Sequence, residues 1–225
     1  MKAIKFFIAL LLLPAAAGIG RTFWHLVAES SARHWWGIEF FFPWLMAGAI
    51  LGGGVLFFFP VPVRTYVAGH ELTHALWAKM CGGKVKAIHI KADSGYVISD
   101  CNNFLVTLAP YIFPFYAWLA WCVFAAAQLF YHDPSIQKAG WVVIGMALAF
   151  HFYFLWRVMF TRQSDFKSQG YFFSYVVILI GNGLLILAIC LLQKSSAVEW
   201  KRVLFELGGA YQESFFWVKA WFSRR

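Results

Sequence analysis

The chain has 225 residues, of which 61% are hydrophobic and 13% are charged, and its mean hydropathy is +0.65. Soluble domains are about half apolar and about a quarter charged, so this composition excludes an ordinary soluble protein and indicates a membrane protein. The net charge of +9 is typical of basic loops beside cytoplasmic membrane surfaces. Because basic and aromatic residues do not interleave as they do on surfaces that read single strands, we expect no nucleic-acid partner.

The chain begins with two lysines followed by an apolar run that ends in small residues, within residues 1–20. This pattern fits a cleaved secretory signal or a short first transmembrane helix, and we favour the uncleaved helix because further apolar stretches follow. The other stretches long enough to cross the hydrocarbon core are residues 36–59, 104–131, 139–160 and 171–192. We therefore predict an all-α multi-pass membrane protein with about five to six transmembrane helices.

Two further segments depart from this pattern of long apolar helices. Two short β-branched runs separated by Asp-Ser-Gly predict a small β-hairpin at residues 84–100. The tail, residues 193–225, sets apolar and charged residues on opposite faces at helical spacing, which predicts an amphipathic helix lying on the membrane surface. Since no repeat or linker divides the rest, we expect residues 1–192 to form one membrane domain.

The order of basic residues indicates how the chain is oriented. With the N-terminus in the cytoplasm, the basic residues that follow the spans 36–59 and 139–160 both fall on the cytoplasmic side, as the positive-inside rule requires. The same orientation puts the basic tail outside, against that rule. We expect an integral membrane protein whose polar segment after the second span lies near the cytoplasmic face.

The most informative motif lies in that polar segment, where residues 69–83 read GHELTHALWAKMCGG. His70 and His74 are four residues apart and therefore lie on one face of a helix, from which both imidazoles reach one metal ion. Imidazole suits zinc, and a catalytic zinc takes three protein ligands and keeps an open water position. Glu71 would then be the general base that activates this water. Ionisable groups are costly beside lipid, which favours function over packing for this triplet.

A zinc site needs a third protein ligand, and His151 and Asp165 are the candidates near the later spans. Asp165 follows the cytoplasmic end of the span 139–160, at the depth expected for the motif, and is favoured because carboxylates are ordinary zinc ligands. His151 lies deeper along its helix and would be an alternative ligand or a hydrogen-bond partner of a ligand. Asn182 would contact either a substrate backbone or another helix.

The stretch GHELTHALWAKMCGGKVKAIHIKADSGYV resembles the site-2 protease family of intramembrane zinc metalloproteases, in which a polar hairpin follows HExxH. The segments NNFLVTLAPYIFPFY and QSDF resemble compact bacterial members without a PDZ-like domain. This resemblance covers residues 55–185. It implies Zn²⁺ bound by His70, His74 and Asp165, with Glu71 as general base, in a bacterial cytoplasmic membrane.

We therefore expect a zinc-dependent intramembrane endopeptidase that hydrolyses a peptide bond in or near a transmembrane segment of a membrane-protein substrate. A regulatory membrane partner could gate the site. The alternative is a catalytically inactive metal-binding membrane scaffold or transport partner, in which Glu71 need not act as a base. A third reading is a structural membrane protein without metal.

Overall fold

The computed structural model describes residues 2–28, 41–131, 133–194 and 197–223. Its elements in chain order are α1 (Lys2–Ala28), α2 (Phe42–Phe58), α3 (Val63–Met80), β1 (Val85–Ile90), β2 (Gly95–Ser99), α4 (Phe104–Leu108), a 3-10 turn (Ala109–Tyr111), α5 (Phe115–Phe130), α6 (Pro134–Met159), α7 (Ser164–Gln169), α8 (Tyr171–Lys194) and α9 (Ala197–Ser223). The structure confirms a mostly helical chain with a small antiparallel hairpin.

The number of membrane-spanning helices differs from the prediction. The helices long and apolar enough to cross a membrane are Lys2–His25, Pro134–Met159 and Tyr171–Cys190. The predicted span 104–131 is instead a bent pair, Phe104–Tyr111 and Phe115–Phe130, which meet at 76° and give a fourth span only if taken together. Pro114 lies at this break, where a proline cannot continue the preceding helix.

The predicted span 36–59 is only partly described. Helix α2 covers residues 42–58 of it and is apolar, but it has 17 residues, at the short end of the length that a membrane requires. Residues 36–40 lie outside the described residues. Three candidate spans, or four with the bent pair, are therefore supported, and the predicted count of five to six is not confirmed.

Contacts within the chain form two units, residues 1–35 with 166–225 and residues 36–165. This grouping does not follow the predicted boundary between residues 192 and 193. The division into a membrane domain and a tail stays a prediction about how the chain meets the bilayer.

In the first unit, α1 packs against α8 and α9. A Cβ at Gly18 would lie 3.0 Å from Cα of Leu207, so the glycine permits close approach of α1 to α9. Arg21 Nη1 donates to Glu213 Oε1 at 2.7 Å across the same pair of helices. The predicted tail is helical where it is described, and its location on a membrane surface stays a prediction.

In the second unit, α3 leads directly into the hairpin. Gly82 adopts a φ of +81°, which a glycine accepts without steric cost, and Gly83 N donates to Ala78 O at 2.8 Å. This glycine pair ends α3 and turns the chain into β1. The hairpin then packs back on α3, so the sheet is held beside the helix that carries the HExxH motif.

Helix α6 carries the chain towards Asp165, and glycines fix its contact with α2. A Cβ at Gly48 would lie 2.0 Å from Val142 O, and a Cβ at Gly145 would lie 2.0 Å from Leu45 O. No larger residue fits where the two backbones meet. Small residues permit this kind of close helix packing in membranes, where dispersion contacts replace the hydrophobic effect.

We expect Gly48→Ala to destabilise the protein by about 1–3 kcal/mol, because the new methyl group must displace backbone atoms of α6. Gly53→Ala is the matched control on the same helix, since nothing lies within 4 Å of its added Cβ. The measurement is the thermal unfolding midpoint of each variant in detergent. Equal midpoints for the two variants would contradict the close α2–α6 contact.

Candidate metal centre

His70 and His74 lie one helical turn apart on α3, and their Nε2 atoms are 3.1 Å apart. Asp165, at the start of α7, brings Oδ2 to 3.6 Å from His70 Nε2 and 3.4 Å from His74 Nε2. Within the described part of the chain, these three form the one group of three His, Cys, Asp or Glu side chains whose ligand atoms lie within 4.8 Å of one another.

The spacing of the three ligand atoms suits a tetrahedral ion. Zinc takes His and carboxylate ligands at about 2.0–2.2 Å, which separates neighbouring ligand atoms by about 3.3 Å in a tetrahedron. The triangle formed by His70 Nε2, His74 Nε2 and Asp165 Oδ2 has sides of 3.1, 3.4 and 3.6 Å. The donor set of two imidazoles and one carboxylate therefore fits one zinc ion and leaves a fourth position for water.

Contacts behind the histidine rings orient them towards the cluster. His74 Nδ1 lies 2.8 Å from Val106 O, and a carbonyl only accepts, so Nδ1 carries a proton and Nε2 of the neutral ring has a free lone pair. His70 Nδ1 lies 3.3 Å from Tyr66 Oη, one turn earlier on α3. Such partners of the second ring nitrogen fix the tautomer and direction of metal-binding histidines.

Asp165 is held by a tyrosine. Tyr111 Oη donates to Asp165 Oδ2 at 2.9 Å, and the Tyr111 ring meets the His70 ring edge-on with centroids 5.2 Å apart. Tyr111 is 1% exposed, so its hydroxyl is fixed by packing on all sides. One buried side chain therefore contacts two of the three candidate ligands and constrains the distance between α3 and Asp165.

Glu71 lies beside the cluster and is buried at 6% exposure. The hairpin packs directly on its side chain: a Cβ at Gly95 would lie 2.6 Å from Glu71 Cγ and 2.9 Å from Glu71 Oε1. Only a glycine at the start of β2 allows this approach. The hairpin thus restricts where the Glu71 carboxylate can lie relative to the histidines.

Burial and mutual charge shift the pKa values of these side chains. Burial raises the pKa of the Asp165 carboxyl, but hydrogen bonds and charge from His70 and His74 outweigh it and hold that pKa below its usual value. Burial lowers the pKa of His70. Burial also acts to lower the pKa of His74, but its hydrogen bonds with Asp165 and Val106 O and the charge of Asp165 outweigh burial and raise that pKa. Burial raises the pKa of Glu71. An ionised Asp165 and a neutral His70 are the states that metal ligation requires.

The cluster opens into a cleft with a volume of about 640 Å³. Glu71 also lines this cleft, and β2 rather than β1 supplies the sheet residues in its wall. The last two turns of α6 contribute Phe154, Arg157 and Val158, and α4 contributes Val106 and Thr107. A peptide that enters the cleft would meet the cluster, Glu71 and β2 together.

The other two predicted site residues are not members of the three-atom cluster. His151, on α6, lines a small cavity of about 30 Å³ that His70 also lines, and it is not part of the three-atom cluster. Asn182, on α8, is 7% exposed and donates through Nδ2 to Ile178 O at 2.9 Å. The proposed roles of His151 as ligand and of Asn182 as substrate contact stay predictions.

Sequence reasoning missed the residues that support the cluster. Tyr66 precedes His70 by four residues on the same helix, so helical spacing alone could have pointed to it. Tyr111 and Val106 O are distant in sequence from both histidines, and no local pattern marks them. Gly95 resembles any turn glycine until the position of Glu71 is known.

Comparison of the chain with protein-family models, curated proteins and solved structures finds no match. Function is therefore inferred from the geometry and chemistry of the site, which identify an activity better than a fold class does.

We expect Tyr111→Phe to weaken binding of Zn²⁺ or Co²⁺ by about tenfold or more, because Asp165 loses the hydroxyl that orients it. Tyr116→Phe is the control: it also loses a hydroxyl, but that group donates to Thr65 O at 2.6 Å and not to the cluster. Metal affinity is measured by calorimetric titration of the purified full-length chain. An equal loss in both variants would mean that Tyr111 only supports packing.

Proposed function

We propose that the chain is a zinc-dependent intramembrane endopeptidase that cleaves a peptide bond in or near a transmembrane segment of a membrane-protein substrate. The observation that carries this proposal is the approach of Asp165 to the two HExxH histidines, with Glu71 beside them in an open cleft. Three protein donors with a fourth position open are typical of catalytic rather than structural zinc sites.

The residues of the cleft have distinct tasks in this reaction. When bound, zinc supplies Lewis-acid polarisation of the scissile carbonyl and lowers the pKa of water to about 7. Glu71 accepts the proton of the attacking water on its carboxylate and returns it to the departing amine. Gly95 allows the hairpin to press on Glu71, which limits the directions in which its carboxylate can point.

The second strand of the hairpin favours a peptide in extended conformation. Within the described residues the sheet has only β1 and β2, so the second edge of β2 pairs with no other strand. A peptide that adds to an exposed strand edge gains main-chain hydrogen bonds. This matters for a transmembrane substrate, because its helix must unwind before a carbonyl becomes accessible.

The surroundings of the site support a membrane location for this chemistry. The apolar helices Pro134–Met159 and Tyr171–Cys190 precede and follow Asp165 in sequence. We propose a bacterial cytoplasmic membrane with the site near the cytoplasmic face, which the basic residues that follow the spans favour. A regulatory membrane partner that controls access to the cleft is compatible with its opening.

The second candidate function is a metal-binding membrane scaffold or transport partner. Its support is the same three-atom cluster, since a metal can hold α3 and Asp165 together without any reaction. The two functions differ in what they require of Glu71, which is no member of the cluster. A scaffold needs only the three cluster residues, whereas a hydrolase needs Glu71 as well.

We expect about one zinc per chain in detergent-purified protein, a ratio typical of a single catalytic site. His70→Ala and His74→Ala should lose the metal, because each removes a ligand atom of the cluster. Metal content is measured by atomic emission after dialysis against buffer with and without added Zn²⁺. A wild-type protein that holds no zinc after loading would exclude both the endopeptidase and the scaffold.

We expect Glu71→Gln to keep its zinc but to lower cleavage by about 10²–10⁴-fold, because the amide cannot accept the proton. The assay uses tagged single-span test proteins whose transmembrane helices carry Gly and Asn, reconstituted with the enzyme and analysed for cleavage products. Cleavage at wild-type rates in Glu71→Gln would contradict the proposed role of Glu71 as the general base.

We expect Gly95→Ala to lower cleavage at least about tenfold with zinc content unchanged, since its Cβ would displace the Glu71 side chain. Ile98→Ala is the control on the same strand, because Ile98 is 44% exposed and does not line the cleft. Zinc content and initial cleavage rate are measured together. If the two variants behave alike, the contact between Gly95 and Glu71 does not matter for catalysis.

A further inference from the structure

One basic side chain, Arg157, lines the cleft that holds the cluster. Among the residues that line it, Arg157 is the one lysine or arginine, and it sits on the last turn of α6. Its guanidinium carbon lies 5.8 Å from the ring centroid of Tyr153, one turn earlier. In the part of the chain that the structure describes, Arg157 forms no ion pair with a carboxylate. A charge with no anionic partner inside a cleft can bind an anionic ligand.

We propose that Arg157 forms an anion-binding subsite that selects peptides with an acidic side chain near the bond to be cleaved. This proposal rests on the proposed function, since it assigns the class of peptide that the same cleft takes. The guanidinium presents several N–H donors in a plane that matches the two oxygens of a carboxylate. The Tyr153 ring attracts the guanidinium and restricts its directions.

The position of Arg157 on its helix favours a peptide over a lipid headgroup. On the same turn, Trp156 and Phe160 are 70% and 74% exposed, as expected of aromatic side chains at a membrane interface. Phe154 and Val158 line the cleft beside Arg157 and are buried. Arg157 is itself exposed and lies between the cleft-lining residues Phe154 and Val158 and the exposed aromatic residues, so it borders the edge of the cleft. Its place among the lining residues favours a peptide ligand over a lipid headgroup.

The hairpin strand β2 lines the same cleft and offers a peptide a second point of attachment. Residues of β2 line the cleft together with Arg157 and the cluster. A peptide paired to β2 would turn alternate side chains away from the sheet face that packs on α3. Under this proposal, a Glu or Asp on such a peptide pairs with Arg157 while the backbone stays at the cluster.

Peptide binding tests the subsite without requiring turnover. The protein is the zinc-loaded, full-length Glu71→Gln variant in detergent, and the probes are labelled peptides with Glu, Gln or Lys at one position scanned along the sequence. We expect the best Glu peptide to bind about tenfold more tightly than its Gln counterpart. Adding Arg157→Gln should remove this preference, Arg157→Lys should retain most of it, and Arg157→Glu should shift it towards the Lys peptide.

Two controls separate charge recognition from structural damage. Arg162→Gln removes a nearby cation that does not line the cleft, and should leave the preference for Glu intact. Zinc content of every variant is measured, so that loss of the cluster is recognised. The proposal is overturned if Arg157→Gln weakens Glu, Gln and Lys peptides equally, or if the protein shows no preference before Arg157 is changed.

Lipid binding is tested with the same variants in nanodiscs of phosphatidylglycerol or phosphatidylcholine. If the effect of Arg157→Gln appears only with the anionic lipid and not with peptide charge, Arg157 binds headgroups and the subsite is refuted. Cleavage assays with wild-type protein distinguish the two proposals. A Glu preference in binding without any cleavage would reject the endopeptidase and keep the subsite, and cleavage without charge preference would do the reverse.

Discussion

The Nε2 atoms of His70 and His74 lie 3.1 Å apart, and the positions of the surrounding side chains depend on this short distance. Two lone pairs at that distance repel unless a cation or proton lies between them, and Asp165 adds a carboxylate to the same point. Each of these groups has a partner that holds it in place: Val106 O, the Tyr66 hydroxyl and the Tyr111 hydroxyl. Such convergence of partners is typical of preorganised metal sites.

The interrupted helix between residues 104 and 130 explains how an apolar chain supplies these partners. A continuous span would use its backbone carbonyls and point its side chains towards neighbouring helices. The 76° bend instead leaves Val106 O and Tyr111 next to α3. Irregular backbone is tolerated in membrane proteins where it is buried or lines a cavity, because its polar groups then find partners. The bend that reduces the number of simple spans therefore also supplies contacts to the candidate metal centre.

Glycines have two separate tasks in the second unit. Gly48 and Gly145 allow α2 and α6 to touch through their backbones, which fixes the helix that leads to Asp165. Gly95 and Gly82 act around α3 instead, where one admits the hairpin against Glu71 and the other ends the helix with a positive φ. The walls of the cleft thus contain His70, Glu71 and His74 on α3 together with Asp165, β2 and the end of α6. Substitutions far from the ligands can disturb the site through these contacts.

The sequence by itself determined the features that depend on near neighbours along the chain: the membrane composition, the histidine pair on one face of α3, the hairpin after it and the helical tail. It also pointed to Asp165, from a rough membrane depth. Only the tertiary structure decided that Asp165 meets the histidines while His151 lies beside a separate cavity, and that Tyr111, Gly95 and Arg157 surround the site. It also decided that the stretch 104–131 bends. Periodicity records which face of one helix is apolar, but distances between helices depend on how side chains of distant segments pack, and no local pattern encodes them.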